Sequence, residues 1–227
     1  MGQSWWLQQL AGVAAVGLWL ALLAVAAIGL QRMHPEQAGS DHGREWSRKL
    51  VHIGTGAVVP LAWLLGVDRL IAVPAAMAVT VLAAINHRYR LLPAIEDVGR
   101  HSYGTVAYGA AITSLLLAFW PQQADAVCAG VLVMALGDGL AGLLGARFRS
   151  PSWQLGEQRK SLLGTTTMAV VSMVVLLLLA QGPWPAPPPA ALVAIALVAT
   201  ALEQVAWMGI DNLTVPIVSA WLWSGWR

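Results

Sequence analysis

Eight apolar stretches run through the chain, at 5–30, 50–65, 70–85, 103–120, 126–146, 162–180, 190–207 and 213–226. A helix crossing a bilayer needs about 20 mostly apolar residues. The first stretch is long enough, the second and third are short, and the last fits a tilted or re-entrant segment. The pattern predicts an all-α fold: a polytopic transmembrane helix bundle of seven to eight membrane segments, forming one integral membrane domain over residues 1–227. No internal repeat is visible, and no stretch leaves room for a soluble domain. The run GPWPAPPP at 182–189 reads as a stiff loop outside the membrane, because proline fixes φ and removes a backbone donor.

Composition agrees. Of 227 residues, 58% are hydrophobic and 11% charged, against about 25% charged in an ordinary soluble domain. The formal charge of +2 does not imply nucleic acid, because the basic residues sit in short loops between apolar stretches. The single cysteine, Cys128, lies inside an apolar run and reads as a small buried hydrophobe. Met1–Ser4 carries no Lys or Arg and the following apolar run is long, so 5–30 is expected to be a retained first helix and not a cleaved signal.

The loops divide the charge unevenly. Assigned alternately, one side holds Arg32, Arg44, Arg48, Lys49, Arg88, Arg90, Arg100, Arg147, Arg149, Arg159 and Lys160; the other holds Arg69 and Arg227. Positive residues favour the cytoplasmic face, so the crowded side is expected to be cytoplasmic and the N-terminus outside. Trp5, Trp6, Trp63, Trp120, Trp184, Trp221, Trp223 and Trp226 fall near the outer boundary, as an interfacial belt does. The acids and all five histidines gather on the inner side.

Four clusters there carry candidate chemistry. Arg48, Lys49 and His52 enter the second stretch together, with Arg48 and His52 on one helix face at i, i+4. Asp138 stands between Gly137 and Gly139 in an apolar run, where a carboxylate costs about 2.5–3.5 kcal/mol and needs a partner or a task. Gly137, Ala141 and Gly145 also form a small-residue stripe suited to helix packing. Lys160, Ser161, Gly164 and Thr165 open the sixth stretch. Free amides at a helix start favour an anion and Lys adds a charge, although Ser161 also reads as a plain N-cap. Glu203 lies among apolar residues, and Asp211, Asn212 and Thr214 mark a break before the last stretch. Asn86 and His87, then Arg100, His101, Ser102 and Tyr103, flank the same face.

Carboxylates at one membrane depth suit Mg²⁺, which takes one or two of them plus substrate phosphates. Cations beside them suit a polyphosphate, and the apolar surround suits a lipid alcohol. The combination predicts phosphoryl or nucleotidyl transfer from a cytosolic nucleotide to a membrane lipid. Neither a Walker A motif nor a protein-kinase signature is present. A small transporter is the non-enzymatic alternative, but such folds usually carry repeats and a midplane site.

The segments RKLVHIG, ALGDGLAGLLGARF, RKSLLGT and EQVAWMGIDNLTVPI, spanning about Arg48 to Pro216, resemble the polyprenol kinase family. That family includes phytol, dolichol and yeast-type diacylglycerol kinases; the short chain and the GDG…ARF…KS spacing look closest to phytol kinases. Two places depart from the family pattern: a glycine often follows the Arg147-Phe148 pair, where this chain has Arg149-Ser150, and a serine often follows the KS-x-x-G glycine, where it has Thr165. The resemblance implies CTP as donor and a prenol such as phytol as acceptor; Mg²⁺ rests on the carboxylates. On that reading Asp138 and Asp211 hold the metal, and Lys160, Glu203, Asp138 and Asp211 are catalytic. Arg48, Lys49, His52, Gly137, Gly139, Ser161, Gly164, Thr165 and Asn212 bind nucleotide. CDP-diacylglycerol synthases share a related stretch, which makes nucleotidyl transfer the alternative; the DNLTVP ending matches the kinases. Oligomeric state is left open.

Overall fold

A computed structural model describes residues 2–33, 41–89, 103–155 and 158–227. Arg90, Arg100, His101 and Ser102 lie outside them. In chain order the elements are α1 (Gly2–Met33), α2 (Asp41–Thr55), α3 (Val58–Leu64), α4 (Arg69–Tyr89), α5 (Gly104–Phe119) and α6 (Ala124–Leu132). A π-helical stretch (Val133–Asp138) leads into α7 (Gly139–Arg147). Then follow β1 (Ser152–Leu155), β2 (Gln158–Ser161), α8 (Leu162–Leu179), α9 (Pro189–Val205) and α10 (Asp211–Trp226).

Four helical spans are long and apolar enough to cross a membrane: Ser4–Leu30, Arg69–Tyr89, Ala124–Arg147 and Leu162–Leu179; Gly104–Phe119 and Pro189–Val205 are shorter apolar helices. This is a multi-pass membrane protein. Its centre is Ala124–Arg147, the most buried of the four spans. α10 packs on α5, α6 and α9, while α8 packs on α7 and α9. Small residues allow close approach. A Cβ on Gly130 would lie 2.2 Å from the Pro216 carbonyl oxygen, so α6 and α10 meet backbone to backbone.

The stretch at 50–65 differs from expectation. It is not one helix: α2 stops at Thr55 and α3 starts at Val58. Pro60 has no N–H for the carbonyl four residues back, and Gly56 is pressed against the π-helical stretch, where a Cβ would sit 2.3 Å from that of Ala135. The loop before α8 also departs from an all-helical chain. β1 and β2 pair as an antiparallel hairpin, Trp153 opposite Lys160 and Gln154 opposite Arg159.

The tryptophan belt is only partly interfacial. Trp6, Trp221 and Trp226 are exposed, but Trp120 and Trp223 are fully buried. Each donates its indole N–H internally, Trp120 to the Val67 carbonyl at 2.9 Å and Trp223 to Asp125 at 2.8 Å. Arg227 closes on the same Asp125 carboxylate at 2.7 Å. A buried indole must satisfy its donor, so these two serve as core anchors at the end of the bundle away from the charged cavity. Cys128 is buried as expected.

Candidate active site

One cavity of about 850 Å³ gathers most of the residues singled out above. Arg48 and Lys49 reach it from α2, Asp138 from the π-helical stretch, and Lys160 from the end of β2. Ser161, Gly164 and Thr165 come from the start of α8, Glu203 from the end of α9, and Asp211 and Asn212 from the start of α10. The lining holds six cations (Arg48, Lys49, Arg147, Arg149, Arg159, Lys160) and three carboxylates (Asp138, Glu203, Asp211), a net charge of +3. That excess is what a polyphosphate needs.

The local fold explains the convergence. A π-helical turn widens the helix by one residue per turn and occurs mostly at functional sites; here it ends on Asp138. Asp138 Oδ2 accepts from Lys49 Nζ at 2.8 Å and lies 3.4 Å from His52 Nε2. Lys49 also donates to the Asp138 carbonyl at 3.2 Å. The room for Lys49 comes from Gly142, where a Cβ would stand 2.5 Å from the Lys49 Cε and 2.7 Å from its Nζ. Gly142→Ala is therefore expected to displace the ammonium from Asp138 and weaken nucleotide binding by about tenfold, or about 1.4 kcal/mol. Titration of nucleotide-induced fluorescence or melting changes would measure it; unchanged affinity would show that Lys49 sets nothing in the cavity.

Lys160 makes a second pair. Its ammonium contacts the Glu203 carboxylate and donates to the Glu203 carbonyl at 2.8 Å. The other Glu203 oxygen accepts from Gln204 at 2.6 Å. Both oxygens of this buried carboxylate are thus engaged, which suits a group that positions Lys160 better than one that takes a proton. Asp211 accepts from the Asn212 backbone N–H at 3.0 Å and from its side-chain amide at 3.1 Å. Pro216, one turn into α10, offers no N–H to the Asn212 carbonyl.

Three expected nucleotide contacts do not line the cavity. His52 stacks near Tyr108, ring centroids 4.9 Å apart, and steadies Asp138 from behind. Gly137 and Gly139 are packing glycines: a Cβ would lie 2.6 Å from Met168 Sδ at the first and 2.3 Å from Ile53 Cγ1 at the second.

The start of α8 also corrects the amide reading. Its first three N–H groups are already taken: Leu162 donates to the Pro151 carbonyl at 2.8 Å, Leu163 to Ser150 Oγ at 3.3 Å and Gly164 to Ser161 Oγ at 3.1 Å. Ser161 is a conventional N-cap. Ser150 supplies one of these caps. The helix dipole still faces the cavity, but the side-chain cations hold the donors.

Gly142, Arg147, Arg149 and Met208 carry no role in the site from the sequence pattern, yet they line the cavity beside Arg159 and Gly209. From the sequence, Arg147 and Arg149 count only as orientation markers. Arg159 is fixed by donating twice to Ser152 Oγ, at 3.1 and 2.9 Å. Met208 (φ 54°) and Gly209 (φ 82°) both adopt left-handed backbone and line the cavity. For a residue with a Cβ this is a strained conformation of the kind found at functional sites.

Among the described residues no three His, Cys, Asp or Glu side chains gather into a metal cage. Two carboxylates facing a wide, cation-rich cavity nevertheless fit Mg²⁺, whose remaining ligands are usually water and substrate phosphate.

No family model and no solved structure matches the chain. A phytol kinase from Synechocystis sp. is 37% identical over 218 residues, covering 93% of this chain and 94% of that relative.

Proposed function

This chain belongs to the phytol kinase family, and from that premise we propose that it transfers the γ-phosphate of CTP to the primary hydroxyl of phytol or a related isoprenoid alcohol. The alcohol oxygen bonds to the γ-phosphorus as the bond from that phosphorus to the β,γ-bridging oxygen breaks. CDP leaves, and the hydroxyl proton is released to water. The observation that carries the reading is the cavity itself: two carboxylates, Asp138 and Asp211, among six cations in a membrane-embedded bundle.

Asp138 and Asp211 are the residues that would hold Mg²⁺, which supplies charge neutralisation on the phosphates. Arg48, Lys49 and Lys160 neutralise charge on the transferring group. Phosphoryl transfer has a loose transition state and depends chiefly on positioning and electrostatics, so Glu203 contributes by orienting Lys160. The test is to incubate membranes containing the protein with γ-labelled CTP and a panel of prenols. Label in a lipid phosphate supports the kinase. Label only in released pyrophosphate, with none in lipid, points to the nucleotidyl transfer of CDP-diacylglycerol synthases and overturns the proposal.

The cavity is proposed to face the cytoplasm. All six of its cations belong to the eleven assigned to that side from loop charge. Cysteines introduced at Gln122 and Pro185, both exposed, are expected to react with an impermeant thiol reagent added outside, and one at exposed Gln154 to react only after permeabilisation. Background is low because the native Cys128 is 1% exposed. The reverse pattern would invert the orientation.

A further inference from the structure

We infer that the apolar groove bounded by α1, α3, α4 and α5 is the site for the acceptor's isoprenoid chain, entered sideways from the lipid, with its inner end leading the hydroxyl toward Asp138. The inference deepens the kinase reading above and rests on it.

The groove has a volume of about 140 Å³ and is lined by aliphatic side chains except at Thr55 and Thr80. Both threonines lie at one end. Gly109 backs onto Thr80, where a Cβ would stand 2.8 Å from Oγ1, and its chain neighbour Tyr108 interacts with Thr55 through its hydroxyl. Val67, Ile71 and Leu116 mark the other end. From Thr80 back to Ile71 is nine residues of α4, about 13 Å at helical rise. The groove is therefore a slot lying along the bundle, with a weakly polar inner end and an apolar outer one.

It opens to the lipid-facing surface. Val13 of α1 and Val79 of α4 both line it, yet are 42% and 47% exposed. α1 is held by polar tethers at other points. Gln9 accepts from the Asp68 N–H at 2.7 Å and donates to the Gly66 carbonyl at 3.1 Å, and Trp19 donates to the Gly54 carbonyl at 2.8 Å. Between these tethers α1 leaves the α4 side uncovered.

A bulk acyl chain is as apolar as a prenyl chain; what selects the acceptor is where the inner end leads. Tyr108 stacks beside His52, and His52 lies 3.4 Å from the Asp138 carboxylate. Thr55 is six residues beyond Lys49 on α2, about 9 Å along its axis, and Lys49 lines the charged cavity. Thr55, Tyr108 and His52 thus lie in turn between the apolar slot and the Asp138 carboxylate. Thr55, Tyr108 and His52 are positioning residues here.

The test uses the full-length protein in nanodiscs and a radiolabelled prenol with a photoreactive diazirine at its tail end. Labelled peptides are expected from α1, α4 and α5 around Val13, Ile71 and Leu116, with labelling competed by excess unlabelled prenol. Competed label confined to other helices, or no competed label at all, overturns the inference. This readout needs no turnover. If the wild type forms no lipid phosphate, the kinase reading fails while the competed label still decides the groove. In a second arm, Ala72→Phe fills the slot near its outer end. The ratio of kcat/KM for a long prenol to that for a short one is expected to fall about tenfold or more, with the KM for CTP unchanged. An unchanged ratio in folded protein counts against the groove. Should Ala72→Phe fail to fold, Val79→Phe at the exposed rim serves for the same ratio.

Discussion

Asp138→Asn is expected to lower lipid-phosphate formation by about 100-fold or more, the size of loss seen when a single preorganised electrostatic group is removed. From the sequence, an aspartate in an apolar run carries an insertion cost that asparagine would relieve, so the variant should melt no lower than its parent. The structure reverses that sign. Asp138 is the partner of Lys49, which is 4% exposed. Removing one member of a buried pair strands the other at up to about 3–5 kcal/mol; water in the open cavity reduces that figure here. The variant is therefore expected to melt lower as well as to lose activity, and activity loss alone does not separate a metal ligand from a structural counterion.

Lys49→Met makes the separation. It frees the Asp138 carboxylate from its ammonium. A metal-binding carboxylate then gains affinity for the cation, so Mg²⁺ without nucleotide should raise the melting temperature of Lys49→Met at least as much as that of the parent, ligand bound to the native state being stabilising. Adding Asp138→Asn to Lys49→Met restores charge neutrality, and the stability of the double variant should exceed that of Asp138→Asn alone. Its Mg²⁺-dependent increment should vanish. If Lys49→Met gives no Mg²⁺-dependent increment, or the double variant keeps one, Asp138 belongs to the scaffold.

The acids were legible in the sequence for one physical reason: each sits in or beside an apolar run, where an ionised group is too costly to be incidental. Asp138, Glu203 and Asp211 all reached the same cavity on that argument. Their partners were not legible. Lys49 lies 89 residues before Asp138, and Lys160 lies 43 before Glu203; such pairings depend on helix packing, which local pattern does not encode. The same limit hid Gly142, whose lack of a Cβ matters only because Lys49 crosses it. Nor does local pattern show that Gly137 and Gly139 pack closely on Met168 and Ile53, away from the cavity lining. At the start of α8 the N-cap signal of Ser161 was correct, but the caps from Pro151 and Ser150 depend on the hairpin that precedes the helix, and a reading by helical stretches had no place for a hairpin.

Lys160→Met is expected to reduce kcat/KM for CTP by about 100–1,000-fold, the range for loss of one preorganised charge on a transferring group. It should raise the KM for CTP and lower turnover, and change the KM for the alcohol less, because the alcohol approaches from the lipid. The pair with Glu203 supplies the control. In the absence of nucleotide, Lys160 is held by the Glu203 carboxylate and carbonyl. If that contact is its whole purpose, the neutral double variant Lys160→Met with Glu203→Gln should recover CTP dependence, since no charge is then stranded. If Lys160 instead turns to the nucleotide, the double variant stays defective toward CTP even where its melting temperature recovers. Glu203→Gln alone then acts in the opposite direction on affinity: it releases the ammonium from a competing carboxylate and should lower the KM for CTP, while looser positioning lowers turnover. Opposite shifts in the KM for CTP from the two halves of one ion pair are not what a purely structural bridge produces. Equal losses in both single variants, reversed together in the double, would make Lys160 part of the scaffold and move the phosphate contact to the arginines of the hairpin side.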